Sequence, residues 1–162
     1  MATLKFSGLD AYIAELEKLT IKSREYCGKA IYEGAGEVAD AIKREIQALP
    51  VGSGWGKKDE KISTITSTQK AGLMDGFGIA KLRQEGSSQN VRAGFAGYNG
   101  QKTTKYPNGQ PNSVIARSVC SGTSFRQKND FVGRAARASR KRAEEAMRKE
   151  IEEGIKRITG GM

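Results

Sequence analysis

The sequence predicts an α+β fold: a small antiparallel β-sheet flanked by two or three helices, with a long C-terminal helix. Apolar residues recur at helical spacing in the first 50 residues. Two short apolar runs separated by a polar, Gly-containing segment are typical of a β-hairpin. A polar run with helical periodicity then occupies the last 34 residues. A chain of 162 residues is long enough for one hydrophobic core and short for two.

Two helices are predicted in the N-terminal third. Ser7 is a candidate N-cap for the first, whose apolar positions are Leu9, Tyr12, Ile13, Leu16 and Leu19. The second is expected over Lys22–Leu49, because Pro50 cannot continue it. Its apolar stripe comprises Cys27, Ile31, Ala35, Val38, Ile42, Ile46 and Leu49. Gly34 and Gly36 weaken a helix, and are expected to admit a close neighbour or a bend.

Residues 50–65 are expected to form an extended loop, with three glycines around Trp55, the single tryptophan. Two interpretations of Trp55 remain open. Its ring could fold back over the core of its own domain, or it could anchor a subunit interface.

The centre of the chain is expected to contribute a short helix and a hairpin. The short helix is predicted over Thr66–Met74, and Leu4–Phe6 could form a further strand or an extended arm. The hairpin strands are predicted at Phe77–Gln84 and Val91–Ala96, around a turn at 85–90.

Residues 97–113 contain two Asn-Gly pairs and two prolines, which are typical of a loop. We expect this loop to be ordered only by contact with another molecule. Val114–Val119 is then a strand or a short helix.

The last helix is predicted to follow a Gly122-Thr123-Ser124 turn and to run from Asn129 to Met162. Its apolar side would hold Phe131, Ala135, Met147, Ile151, Ile155 and Ile158. A helix this polar is expected to bury little of itself in its own domain and to pack on another molecule. Its basic row consists of Arg134, Arg137 and Lys141 near one face, with Arg140 and Arg142 flanking them. Three interpretations of this row remain open: it contacts the phosphates of a nucleic-acid duplex, it contacts an acidic neighbouring protein, or it is a plain solvated face.

The composition argues against most catalytic chemistry. The chain has no histidine, which removes the usual general base and the commonest zinc ligand. Its two cysteines are far apart in sequence and are expected to be reduced and packed. We therefore expect no enzymatic activity, no metal and no cofactor. No apolar segment approaches the length of a membrane span, and no signal-peptide core is evident, so we expect the chain to stay in the cytosol where it is made.

The formal net charge is +10, and its distribution is uneven. Residues 1–60 hold 9 Lys and Arg against 10 Asp and Glu. Residues 61–130 hold 10 against 3, and residues 131–162 hold 9 against 5. Nucleic acid, an acidic membrane surface or an acidic protein would each be attracted to the middle and the tail of the chain.

Four stretches resemble the neck, or tail-completion, proteins of long-tailed bacteriophages. They are Phe6-Ser7-Gly8-Leu9-Asp10, Ala71-Gly72-Leu73, Ser121-Gly122-Thr123-Ser124 and Asp130-Phe131-Val132-Gly133-Arg134-Ala135. They occur in the family's order over nearly the whole chain. In that family they open the first helix, precede the first core strand, form a turn after a short helix and open the last helix.

The resemblance implies a single 1–162 domain, assembled as a ring, expected to be hexameric, at the head–tail junction. Its partners would be head-closure or connector proteins, tail-tube or tail-terminator proteins, and the double-stranded genomic DNA that passes through the ring. It would be assembled in the host bacterial cytoplasm, located in the virion neck or tail, and make no membrane contact. The expected interface residues are Trp55, Gly122, Thr123, Ser124, Phe131, Arg134, Arg137, Arg140 and Lys141. The alternative is a basic nucleic-acid-binding module, with affinity that falls steeply with salt.

Overall fold

The computed structural model describes residues 9–86 and 88–160, with side chains from residue 16 onward. The described elements, in chain order, are α1 Leu9–Ala48, α2 Ser67–Gly76, β1 Phe77–Ile79, β2 Arg83–Glu85, β3 Ser88–Asn90, β4 Ala93–Phe95, α3 Asn112–Ser121 and α4 Phe131–Thr159. The α+β fold with a long C-terminal helix is confirmed. The predicted N-cap at Ser7 and the strand or arm at Leu4–Phe6 lie outside the described residues.

The N-terminal third forms one helix where two were predicted. α1 continues through Thr20 and Ile21, because neither residue is a helix breaker and no glycine or proline lies nearby. The Thr20 hydroxyl donates a hydrogen bond of 2.9 Å to the Leu16 carbonyl oxygen, within the same helix. The predicted end is correct, since the helix stops at Ala48, just before Pro50.

The last helix packs antiparallel along α1, so the expectation that it buries little of itself in its own domain is wrong. Its buried residues are Phe131, Ala135, Ser139, Ala143 and Gly154. Most of these are small, which is why their periodicity does not stand out as an apolar stripe. Ile151 and Ile155 are exposed, so the predicted apolar side is wrong there.

Two glycines mark where the long helices approach most closely. A Cβ on Gly34 would lie 2.6 Å from Met147 Cγ, and one on Gly154 would lie 2.5 Å from Tyr26 Cγ. Of the two explanations offered for the α1 glycines, the close neighbour is therefore correct at Gly34. Gly36 has nothing within 4 Å of its Cβ position.

The hydrophobic core lies where the C-terminal half of α1 meets α2, α3 and the start of α4. Ile46, Leu73 and Phe131 are each 0% exposed. The Phe95 ring contacts two other rings: its centroid lies 5.1 Å from that of Phe77 and 6.2 Å from that of Phe131.

Two predictions for single segments are decided by the structure. Cys27, which was assigned to the apolar stripe of α1, is exposed, so the prediction of a packed thiol is wrong at this position. Residues 114–119, left open between strand and helix, belong to α3.

The predicted hairpin exists as two short antiparallel ladders. β1 pairs with β4, Phe77 opposite Phe95, and β2 pairs with β3, Glu85 opposite Ser88. The turn is therefore shorter than the predicted 85–90, because pairing continues to the residues flanking it and Gly86 adopts φ +61°. The second ladder contacts α1 through Gln89, whose Nε2 donates to the Arg24 carbonyl oxygen at 3.2 Å. Just before β2, Leu82 N–H donates a hydrogen bond of 2.6 Å to the Tyr32 hydroxyl.

Both predicted loops form hydrogen bonds within the chain. In the loop 97–111, Asn99 N–H donates to the Gln110 carbonyl oxygen at 2.9 Å, and Gln110 N–H donates to that of Gln101 at 3.0 Å. The expectation that only another molecule orders this loop is therefore wrong. A Cβ on Gly72 would lie 2.4 Å from Asn99 Cβ, so the loop lies directly on α2.

Candidate functional site

The predicted interface residues occupy three separate places. Phe131 is fully buried in the core and has a packing role. The basic residues line the exposed side of α4. Trp55 and the turn that begins at Gly122 come together beside α3, although 67 positions of sequence separate Trp55 from Gly122.

The basic row on α4 is largely paired within the chain. Arg134 Nε donates to Glu45 Oε2 at 3.1 Å, Arg137 lies 3.3 Å from an Asp130 carboxylate oxygen, and Arg140 Nε donates to Glu144 at 2.8 Å. Arg134 lowers the pKa of the Glu45 carboxyl group through the hydrogen bond and its positive charge. These pairs are mostly solvent-exposed and stabilise little. They neutralise most of the row, so a solvated face is the interpretation that the contacts favour.

Trp55 does not fold back over the core. Trp55 is 54% exposed, and its ring packs against the Phe125 ring, with the two ring centroids 5.4 Å apart. The local turn is held by Ser53, whose hydroxyl donates to the Trp55 carbonyl oxygen at 2.9 Å. A large aromatic ring held in a defined position while half exposed is typical of an interaction surface.

The turn after α3 is joined to the Trp55 loop through backbone hydrogen bonds. Gly122 ends α3 at φ +74°, a conformation that favours glycine. Ile62 N–H donates to the Phe125 carbonyl oxygen at 3.1 Å, and Gln127 N–H donates to that of Ile62 at 2.8 Å. Loop 50–65 and the segment 122–127 are therefore one structural unit.

Arg126 is the functional candidate that sequence reasoning missed. It is only 3% exposed, and its guanidinium donates to the backbone carbonyl oxygens of Thr64 and Gly54, the latter at 3.0 Å. Its Nε has no hydrogen-bond partner among the described residues, and burial lowers the pKa of the guanidinium group. Nothing in the sequence distinguishes this arginine from a surface charge, because its burial depends on loop 50–65 folding over it.

A cavity of about 270 Å³ opens between these segments. It lies beside a second depression along α3, of about 470 Å³, which reaches Arg117 and Gly122. We refer to both together as the Trp55 groove, which is lined chiefly by Trp55, Lys105, Tyr106, Val114, Thr123, Phe125 and Arg126. Its walls are apolar and aromatic, and its charged groups are cationic. Such a groove is suited to binding.

No protein-family model, curated protein or solved structure matches the chain. Within residues 9–86 and 88–160, no helix combines the length and apolar character needed to cross a bilayer. Over the same part of the chain, no three Cys, Asp or Glu residues are grouped so that they could hold a metal ion.

Proposed function

We propose that this chain is a structural subunit of a ring at the head–tail junction of a long-tailed bacteriophage, joining head-closure and tail proteins around the DNA passage. The observation that carries the proposal is that one chain presents two exposed apolar surfaces far apart. A closed ring of identical subunits needs two different surfaces per subunit, one for each neighbour.

The first surface lies on the N-terminal part of α1, at residues 16–21, which we call the α1 arm. Gly154 lies against Tyr26 and α4 ends at Thr159, so the antiparallel α4 ends at about the level of Ile21. At about 1.5 Å per residue, the arm is about 9 Å long. Within it Leu16 is 45% exposed and Ile21 is 66% exposed, which is an unfavourable state for a helix that remains alone.

The second surface is the Trp55 groove, on segments that follow the C-terminal end of α1. Along α1, Ile21 and Leu49 are separated by about 40 Å. Trp55, Val51 and Val114 are exposed near this end. The two surfaces differ in shape and composition, as a head-to-tail ring contact requires.

The residues behind the phage-neck resemblance have defined structural roles. Leu73 and Phe131 are fully buried, Gly72 admits Asn99, and Gly122 supports a positive φ. Packing constraints of this kind are what members of one fold family would share, which supports the proposed membership.

The experiment is to measure the mass of the purified chain by light scattering over a range of concentrations, and to image it by negative-stain microscopy. Rings of defined subunit number are expected. Leu16→Glu and Trp55→Ser should each shift the mass towards the monomer while leaving the helical circular dichroism unchanged.

Lys149→Glu, at an exposed position of α4, is the control for introducing a surface charge and should still assemble. A chain that stays monomeric at every concentration, also when mixed with connector or tail-tube proteins, would refute the proposal.

A nucleic-acid-binding module is the second candidate, and one observation favours it. Among the described residues, the cations that form ion pairs are Lys29 and arginines of α4. No Lys or Arg of residues 61–130 forms an ion pair. This segment holds 10 Lys and Arg residues against 3 Asp and Glu residues, so ion pairs do not offset its net positive charge.

This candidate predicts duplex affinity that decreases steeply with salt. Arg117→Glu and Lys128→Glu should weaken binding more than Arg140→Glu, since Arg140 is already paired with Glu144. Absence of binding at low salt would exclude this function.

A further inference from the structure

The buried Arg126 lacks a counter-charge. It forms no ion pair with any Asp or Glu of the described residues, and desolvation is the single cause that shifts its pKa. Its known acceptors are two neutral backbone carbonyl oxygens. A buried cation is normally paired with an anion, so this position is electrostatically incomplete.

A second polar group at the same place is also incomplete. The Thr123 hydroxyl is buried and has no hydrogen-bond partner in the described structure, although Thr123 N–H donates to the Arg126 carbonyl oxygen at 3.0 Å. Both residues line the cavity, together with the exposed Lys105. Two cations and one unpaired hydroxyl therefore line one cavity, and no Asp or Glu of the described residues lines it.

We propose that the cavity beside Trp55 is a binding site for a carboxylate group on a flexible apolar stem, as in a glutamate side chain. A carboxylate would place one negative charge next to Arg126 and offer acceptors to Thr123 and Lys105. The site is independent of where the protein acts, and it exists whether or not the chain forms a ring.

The walls favour a carboxylate on a flexible apolar stem over a phosphate of a nucleic acid. Phe125, Val114 and Ile115 line the cavity and can pack against the methylene groups of a glutamate side chain. The cavity is bordered by five chain segments, at Gln69 and around residues 54–55, 105–110, 114–118 and 123–126. A slender side chain can enter such a space, whereas the phosphates of a duplex are held on a rigid backbone that stays outside.

Trp55 provides the assay, since it is the single tryptophan and lines the cavity. Its fluorescence is recorded during titration with glutamate blocked at both its amino and carboxyl backbone ends, with chloride keeping the ionic strength constant. The isosteric blocked glutamine is the neutral control, and acetate, inorganic phosphate and a short DNA duplex are the other probes. A saturable response to blocked glutamate and to acetate is expected, with none to blocked glutamine.

The variants avoid Arg126 itself, because its loss would also release the carbonyl groups that it holds. Thr123→Val keeps the side-chain shape and should weaken blocked-glutamate binding about tenfold, the usual effect of removing a hydrogen bond to a charged group. Lys105→Gln should weaken it about threefold, as expected for an exposed charge. Lys149→Gln, on α4 and remote in sequence from every wall segment, should bind like the parent protein.

A binding curve that is the same for glutamate and glutamine would overturn the proposal. A response to phosphate or duplex DNA alone would also overturn it and would assign the cavity to phosphate. The absence of any saturable response would overturn it as well, and would leave Arg126 with the single role of holding loop 50–65. Ring formation is measured separately, so failure of one proposal does not imply failure of the other.

Discussion

The pair Gly34 and Gly36 offers a direct test of how closely α1 and α4 pack. Both lie in the same helix, two residues apart, and differ in their surroundings. An alanine Cβ at Gly36 would meet nothing within 4 Å, whereas one at Gly34 would lie 2.6 Å from Met147 Cγ and 3.3 Å from the Ala143 carbonyl oxygen. Each substitution removes the backbone entropy of a glycine, so the difference between them reports the packing.

The magnitudes follow from these distances. Gly36→Ala should raise the free energy of unfolding by about 1 kcal/mol, the helix-propensity difference between the residues. Gly34→Ala receives the same gain but adds an overpacking cost of about 1–3 kcal/mol. The two variants should therefore differ by about 1–3 kcal/mol, with Gly34→Ala less stable.

The assay is urea unfolding followed by circular dichroism at 222 nm. With a denaturant slope of about 2 kcal/mol/M, the unfolding midpoints should differ by about 0.5–1.5 M. Met147→Ala combined with Gly34→Ala should recover most of the cost in a double-mutant cycle, because the closest atoms belong to the Met147 side chain. If Gly34→Ala were as stabilising as Gly36→Ala with Met147 present, the close antiparallel packing of the two helices would be refuted.

Two further substitutions test the core and the exposed ion pairs. Phe131→Ala should lower the free energy of unfolding by about 3–5 kcal/mol, because the ring is fully buried against Phe95; a loss below about 1 kcal/mol in calorimetry would contradict that burial. The pKa of Glu45 is held below its ordinary value of 4.5 by Arg134, so its stabilising contribution is present above that pH and is lost as pH falls through the lowered pKa. Glu45→Gln and Arg134→Gln should each slightly flatten the acid side of the stability–pH profile, and an unchanged profile in both would exclude the pair as a contributor.

Local patterns in the sequence predicted the fold class and most elements. Pro50 ends α1 because it lacks an N–H, and the Phe77 and Phe95 segments pair because both are short and apolar. The predicted turn at Gly122 is present and follows α3. These features depend on residue types within one segment or within two segments close in sequence, so they are visible in a single sequence.

The candidate site could be predicted only in part. The sequence drew attention to Trp55 and to the turn at Gly122–Ser124, but it could not bring them together. Their proximity depends on Ile62 forming hydrogen bonds to the segment 125–127, which is a long-range pairing with no local signal. Arg126 acquires its importance from the same pairing, because the loop that folds over it removes it from water.

By itself the sequence determined the helical and extended segments, the absence of histidine, and the basic excess of the middle and tail. These follow from side-chain identity and spacing along the chain. The tertiary structure alone decided that α4 packs on α1 through small residues, that its arginines are mostly paired, and that a buried arginine faces a cavity without an anion. Those outcomes depend on which distant surfaces pack together. The free energy that stabilises this packing comes from contacts between residues far apart in the chain.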